Sequence, residues 1–177
     1  MDKIRQRKLS LITRNKLSDE ERKEYSKIIC DKLFSLNLKG NIMSYYPFKT
    51  EVDIRVFNFN NYVSYPVIYH DIEMDTYLPI NNSFSLNYYG IYEPDLDEAI
   101  KVEKKYLDYV IVPIVAFDER LYRIGYGKGY YDYFLKDIKA KKIGVAFDIQ
   151  KVNGIENDNN DIKLDMIITE KNTYIGI

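Results

Sequence analysis

From Tyr109 to Phe117 the chain reads YVIVPIVAF, an apolar run without a single charge. A strand with one wet face would alternate apolar and polar residues, so this run fits a central strand covered on both sides. Pro113 has no N–H to give a neighbouring strand and marks the place where ladder bonding ends. Shorter segments rich in β-branched and aromatic residues precede it (NIMSYYP, YVSYPVIY, DTYLPI, SLNYYGI) and follow it (KKIGVAF, LDMIIT, TYIGI), and each is expected to be a strand. Helical patterns fall between them at EVDIRVFNF, DLDEAIKVEKKY and YYDYFLKDIK. Two helices open the chain. Lys3 to Leu17 carries Ile4, Leu9, Leu11 and Ile12 among basic residues. In SDEERKEYSKIICDKLFSL, Ser18 and Glu21 have capping-box spacing and Tyr25, Ile28, Ile29 and Leu33 recur at helical intervals. Strands alternating with helices predict an α/β layered fold, with a largely parallel central sheet flanked by helices and an N-terminal helical pair. The length suits a single domain over residues 1–177, and the Asn/Asp-rich NGIENDNNDIK is expected to be a surface loop.

Composition narrows the function classes. A net charge of -1 gives no long-range attraction to nucleic acid or anionic lipid, so any anion site must be local. The opening residues are charged and lack the apolar core of a signal peptide. No apolar run is long enough to span a bilayer, so a cytoplasmic location with neither membrane nor nucleic-acid partner is expected; a monomer is the expected assembly. Cys30 is the only cysteine, which excludes an internal disulfide and a cysteine zinc cluster; its helical position reads as core. His70 is the only histidine, which excludes paired-histidine chemistry.

In open α/β sheets, ligands gather beyond the carboxyl ends of the strands, and RIGYGKGYYD follows the apolar run there. Gly125, Gly127 and Gly129 clear alternate positions so that backbone N–H groups can approach an anion. Lys128 supplies charge, and a helix is expected from about Tyr130. GYGKG alone serves equally well as a chain-reversing turn, and it has neither the Walker A nor the Rossmann spacing. Its neighbours favour phosphate: Arg123 can pair bidentately with phosphate oxygens, and Asp132 is a hard oxygen ligand for Mg²⁺.

VPIVAFDERLYRIGYGKGYYD resembles the hallmark of the 5-formyltetrahydrofolate cyclo-ligase family, a strand ending P-x-x-AFD followed by R-x-G-x-G-x-G-Y-Y-D. It matches at Pro113, Ala116, Phe117, Asp118, Arg123, Gly125, Gly127, Gly129, Tyr130, Tyr131 and Asp132. The resemblance reaches both ends of the chain. Lys3 and Arg7 fit the family's basic pair on its first helix, one turn apart and about 6 Å in rise, where both can reach one polyphosphate. YYPFKTEVDI is similar to the segment whose glutamate contacts the pterin, here Glu51. YYGIYEP is similar to the family's Gly-x-x-Glu-Pro turn at Gly90, Glu93 and Pro94. KIGVAFDIQ and DIKLDMIITE resemble the two strands that close the family sheet, and Asp165 stands for a second carboxylate near the metal. Three positions depart from the usual pattern: Ile54 where Thr is frequent, Asn160 where a histidine is frequent, and Tyr126 where some members have Arg.

The resemblance implies ATP-dependent closure of 5-formyltetrahydrofolate, with or without a polyglutamate tail, to 5,10-methenyltetrahydrofolate. It implies Mg²⁺ as the metal that accompanies ATP. ATP is expected against Lys3, Arg7, Arg123, Gly125, Gly127, Lys128, Gly129, Tyr130 and Tyr131. The folate is expected against Glu51 and Tyr130, the metal at Asp132 and Asp165, and catalytic charge neutralisation at Lys128 and Arg123. Two other readings remain open on the residues: a nucleotide- or folate-binding module without turnover, and a structural α/β domain in which GYGKGYYD is only a turn.

Overall fold

The computed structural model describes residues 1–176. The opening helices are α1 (Lys3–Asn15) and α2 (Asp19–Ser35). After them come β1 (Ile42–Met43), α3 (Arg55–Asn61), β2 (Tyr65–Ile68), β3 (Met74–Pro79), β4 (Phe84–Leu86), β5 (Tyr92–Pro94) and β6 (Ala99–Val102). The chain continues through β7 (Tyr109–Pro113), β8 (Ala116–Phe117), β9 (Arg123–Ile124), α4 (Tyr130–Leu135), β10 (Lys141–Val145), β11 (Met166–Ile168) and β12 (Thr173–Ile175).

The central sheet has the order β1-β7-β10-β11-β12; the first four strands are parallel and β12 runs antiparallel to β11. Three small antiparallel sheets complete the fold, β2-β3-β6, the β4-β5 hairpin and the β8-β9 hairpin. The apolar run becomes β7 with Pro113 as its last residue, and it is covered on both faces as expected. Ile111 packs on one side with Ile143, Val145, Ile168 and residues of α2 and α3. Val110 and Val112 pack on the other side with Ile167, Phe134 and Leu135 of α4. This two-residue alternation between two apolar clusters is what a pleated strand between two layers requires. The capping box of α2 forms as read, since Ser18 Oγ accepts from Glu21 N at 3.0 Å and Glu21 Oε2 accepts from Ser18 N at 2.8 Å.

Two expectations are corrected. DLDEAIKVEKKY does not form a helix: Ala99–Val102 is the strand β6, flanked by 3-10 turns at Leu96–Glu98 and Lys104–Tyr106. The β-branched Ile100 and Val102 lie along the free edge of β3, and pairing with Leu78 and Thr76 wins over weak helical periodicity. α4 is also shorter than YYDYFLKDIK suggests, because Lys136 is extended and Asp137 has φ 60°.

The first helix behaves unexpectedly. α1 exposes Ile4, Leu9 and Ile12 and buries Gln6, Ser10 and Arg14. Its polar side faces the protein, toward the carboxyl end of β7 and the β8-β9 hairpin.

Candidate active site

Beyond the carboxyl ends of β1 and β7, the strands, the glycine segment and α1 enclose a cavity of about 550 Å³. That lies within the usual range for small-molecule sites. Its walls differ in character, one carrying most of the charge and the other mainly aromatic.

On the charged wall, β9 presents Arg123, which is 6% exposed. Its Nη2 donates to Asp132 Oδ1 at 3.2 Å, and its guanidinium lies 5.6 Å from the centre of the Tyr131 ring. Among the described residues its Nε is buried without a hydrogen-bond partner, while the side chain as a whole lines the cavity. A buried guanidinium left partly unsatisfied is costly in the free protein and readily offset by an anion. From α1, Arg7 Nε donates to Gly125 O at 2.7 Å. Gly127 has φ +93°, and a Cβ there would stand 2.9 Å from Arg7 Cζ. The glycine therefore serves two ends: a left-handed backbone and room for the Arg7 side chain. Lys3 pairs with Asp161 and, at 3.4 Å, with Asp158. Burial disfavours the Lys3 ammonium, but these carboxylates outweigh it and its pKa lies above the ordinary value. Lys128 is exposed at the rim with Nζ 5.8 Å from the centre of the Tyr89 ring.

Two carboxylates reach this wall, and one is not the expected one. Asp132 faces the cavity and accepts from Ile162 N at 3.3 Å, which ties α4 to the acidic loop before β11. That loop brings Asp161 to the cavity. Asp165 is not brought there. It precedes β11 at the amino end of the strands, the edge away from the cavity, where its Oδ2 accepts from Lys142 N at 2.7 Å and pairs with Lys142 Nζ at 3.3 Å. DIKLD offers two aspartates four residues apart, and the place where the acidic loop ends and β11 begins, at Met166, decides which of them meets the cavity.

On the other wall, a turn at Phe48–Glu51 carries Glu51, whose Oε2 accepts from Phe48 N at 2.7 Å. Burial pushes the Glu51 carboxyl up to about 7, against the opposing pull of the Phe48 N–H and the Arg14 guanidinium. Tyr45, Tyr126 and Tyr131 face the same carboxyl. Tyr130 opens α4 and donates its hydroxyl to Tyr69 O at 3.2 Å. The β4-β5 hairpin adds Tyr89 and Tyr92, which line the cavity. Thus Lys3, Arg7, Glu51, Arg123, Gly125, Gly127, Lys128, Gly129, Tyr130, Tyr131 and Asp132 come together around one space, and Asp165 stands apart.

The hallmark also contains scaffold. Asp118 is 1% exposed and accepts from the backbone N–H groups of Arg120, Tyr122 and Ile155 and from the Arg120 guanidinium. It organises the turn between β8 and β9 and does not line the cavity. Cys30 is core, as expected: burial pushes its thiol up to about 11, which removes thiolate reactivity near neutral pH. Sequence reading missed Arg14 and Asp161. Asp161 had a signal in its place beside the family-like Asn160, whereas Arg14 looked like one more charge on a basic helix.

A model of the 5-formyltetrahydrofolate cyclo-ligase family matches residues 2–170. The chain is 30% identical over 181 residues to the 5-formyltetrahydrofolate cyclo-ligase of Mycoplasma genitalium, covering 95% of this chain and 98% of that protein. A solved structure of Aquifex aeolicus 5,10-methenyltetrahydrofolate synthetase superimposes with a TM-score of 0.87 at 34% identity, covering 99% of this chain and 93% of that one. The corresponding synthetase of Mycoplasma pneumoniae gives 0.80 at 28% identity, covering 96% and 99%. With the family match spanning nearly its whole length, the chain belongs to the 5-formyltetrahydrofolate cyclo-ligase family.

Proposed function

We propose that this cavity carries out the ATP-dependent closure of 5-formyltetrahydrofolate to 5,10-methenyltetrahydrofolate, with ADP and phosphate as the other products. The observation that carries the reading is one cavity with cations converging on one wall and a buried carboxyl among aromatic rings on the other. The chemical obstacle is that the N-formyl oxygen is a poor leaving group. Transfer of the γ-phosphoryl group to that oxygen gives an iminium phosphate at N5; N10 attacks the activated carbon, and phosphate leaves as the ring closes. No covalent bond to the protein is needed, so the protein's task is orientation and charge.

Arg123, Arg7, Lys3 and Lys128, all on the cavity lining, neutralise the polyphosphate. Glu51 accepts hydrogen bonds from the amino and ring N–H groups of the pterin. Tyr130 and Tyr131 wall the region between the two substrates. Asp132 and Asp161 fit Mg²⁺, being two hard oxygen donors on the phosphate wall, and they would hold it with phosphate oxygens and water in the remaining positions. When bound, the ion offsets phosphate charge. Asp161 takes the role first expected for Asp165. Asp161→Asn is therefore expected to raise the Mg²⁺ concentration giving half-maximal rate several-fold, and Asp165→Asn to leave it as in the parent; a Mg²⁺ titration with the opposite ranking refutes this metal site.

Incubation with 5-formyltetrahydrofolate and Mg·ATP tests the reaction through the absorbance band of the methenyl product. Folded protein that binds both ligands and yields no band is a binding module without turnover, and the proposal fails. Lys128→Ala is expected to raise KM for ATP about 3- to 10-fold, as loss of a rim charge on a phosphate does. An unchanged KM removes Lys128 from the phosphate site.

A further inference from the structure

Arg14 is 1% exposed in the last turn of α1, and its guanidinium reaches into two different parts of the site. Its Nε donates to Thr50 Oγ1 at 3.0 Å, its Nη2 to Tyr126 OH at 2.7 Å and its Nη1 to Ile114 O at 3.4 Å. All three acceptors are neutral. A buried cation is usually paired with a carboxylate, because desolvation is otherwise poorly offset. Here the charge is held by neutral oxygens and by the Tyr126 ring, whose centre lies 5.9 Å away. The acceptors belong to different functional segments. Thr50 sits beside Glu51, and its hydroxyl donates onward to Asn15 Oδ1 at 2.7 Å. Tyr126 lies inside the glycine segment, between Gly125 and Gly127, and meets Phe48 edge-on at 5.8 Å. Ile114 follows the last residue of β7, and its carbonyl also accepts from Gln150 Nε2 at 2.7 Å.

We propose that Arg14 is a positioning residue for the cyclisation: one guanidinium ties the Glu51 turn, through Thr50, to the glycine segment, through Tyr126, and holds the two substrates in register. The reading rests on Glu51 contacting the folate and the glycine segment contacting ATP. The fork geometry matters. A planar guanidinium can serve three acceptors in fixed directions, which a lysine ammonium on a flexible stem does not reproduce. The chemistry needs such a tie, because the γ-phosphorus must meet a formyl oxygen held by the opposite wall, and small misplacements there cost rate steeply. The charge acts on Glu51 as well. Glu51 is faced by Arg14, Tyr45, Tyr126, Tyr131 and the Phe48 N–H, with Lys3, Arg7, Arg123 and Lys128 elsewhere around the cavity. Among the residues acting directly on its carboxyl, Arg14 is the cation, and it favours the ionised form.

The test compares Arg14→Met, Arg14→Lys, Thr50→Val and Tyr126→Phe in the full chain, measuring kcat, both KM values, thermal stability and the pH profile of kcat/KM for the folate. Arg14→Met is expected to lower kcat about 10-fold or more, to raise both KM values about 5-fold and to move the acid limb to higher pH, and Arg14→Lys to restore the limb more fully than kcat or the KM values. Thr50→Val keeps the charge and is expected to raise KM mainly for the folate. Tyr126→Phe keeps the charge and is expected to raise KM mainly for ATP, with the limb unmoved. A folded Arg14→Met with kcat, both KM values and the limb as in the parent overturns the proposal. Should Arg14→Met fail to fold, the other two decide it: unchanged KM values in both Thr50→Val and Tyr126→Phe overturn the tie. Glu51→Gln run in parallel separates the two readings. An acid limb that persists in it refutes Glu51 as the titrating folate contact, while the KM pattern still judges Arg14.

Discussion

Arg123→Met is expected to lower kcat/KM for ATP by about 10²- to 10³-fold, the scale on which a buried donor to a transferring charge acts. The reasoning starts from what the arginine does without ligand. It is almost fully buried, bonded to Asp132, and lines the cavity. On the proposed reading the cavity side of the guanidinium meets phosphate, so the gain would belong to the bound and reacting states. Stability should respond much less than activity. Removing one partner of a fully buried ion pair destabilises the fold because the other charge is left buried and unpaired, but here the other partner is not fully buried. Asp132 is partly solvent-accessible and can be rehydrated when its partner is gone. A variant within about threefold of the parent at matched Mg²⁺ would remove Arg123 from the reaction. A large fall in melting temperature together with the lost activity would instead make it scaffold.

Glu51→Gln is expected to damage folate use while stabilising the free protein. With its folded pKa near 7 against an ordinary 4.5, the carboxyl keeps its proton in the folded state after the unfolded chain has lost it. Between those values the unfolded state binds fewer protons, so stability falls as pH rises from about 4.5 to about 7, and the deficit is constant above. Complete desolvation would make that deficit about 3 kcal/mol, and partial access to water reduces it to about 1–2 kcal/mol. Glutamine lacks the titration. Chemical denaturation should show the variant gaining on the parent from pH 5 to pH 8, and parallel stability curves would refute the shifted carboxyl. Catalysis should run the other way. The ionised carboxylate is the better acceptor for pterin N–H groups, so the parent's kcat/KM for the folate rises through pH 7, and the variant's lies well below it without that limb.

The central sheet was legible because burial on both faces leaves a plain mark, as YVIVP becoming β7 illustrates. α2 was legible through its capping box and spacing, whereas α1 was read from apolar residues that the structure leaves exposed. β6 was not, because a strand at the margin of a small antiparallel sheet owes its form to its partner, β3, and carries little pattern of its own. The site followed the same division. Residues of the glycine segment converge as their chemistry suggests, since they are local to one turn. Asp161 against Asp165 depends on where a loop ends and a strand begins, and Arg14 depends on a helix lying with its polar side inward. Asp118 shows the converse, a hallmark residue that serves a turn and not the cavity.

That orientation of α1 leaves one molecule answering to two solvent variables. The sheet and its two apolar clusters are held by the hydrophobic effect, whose strength changes with temperature. α1 buries Gln6, Ser10 and Arg14 and reaches the site through Arg7 and Lys3, so its attachment depends on hydrogen bonds and charge, which salt can weaken at the exposed pairs. The segment bearing Lys3 and Arg7 can therefore loosen with ionic strength while the core beneath it stays folded.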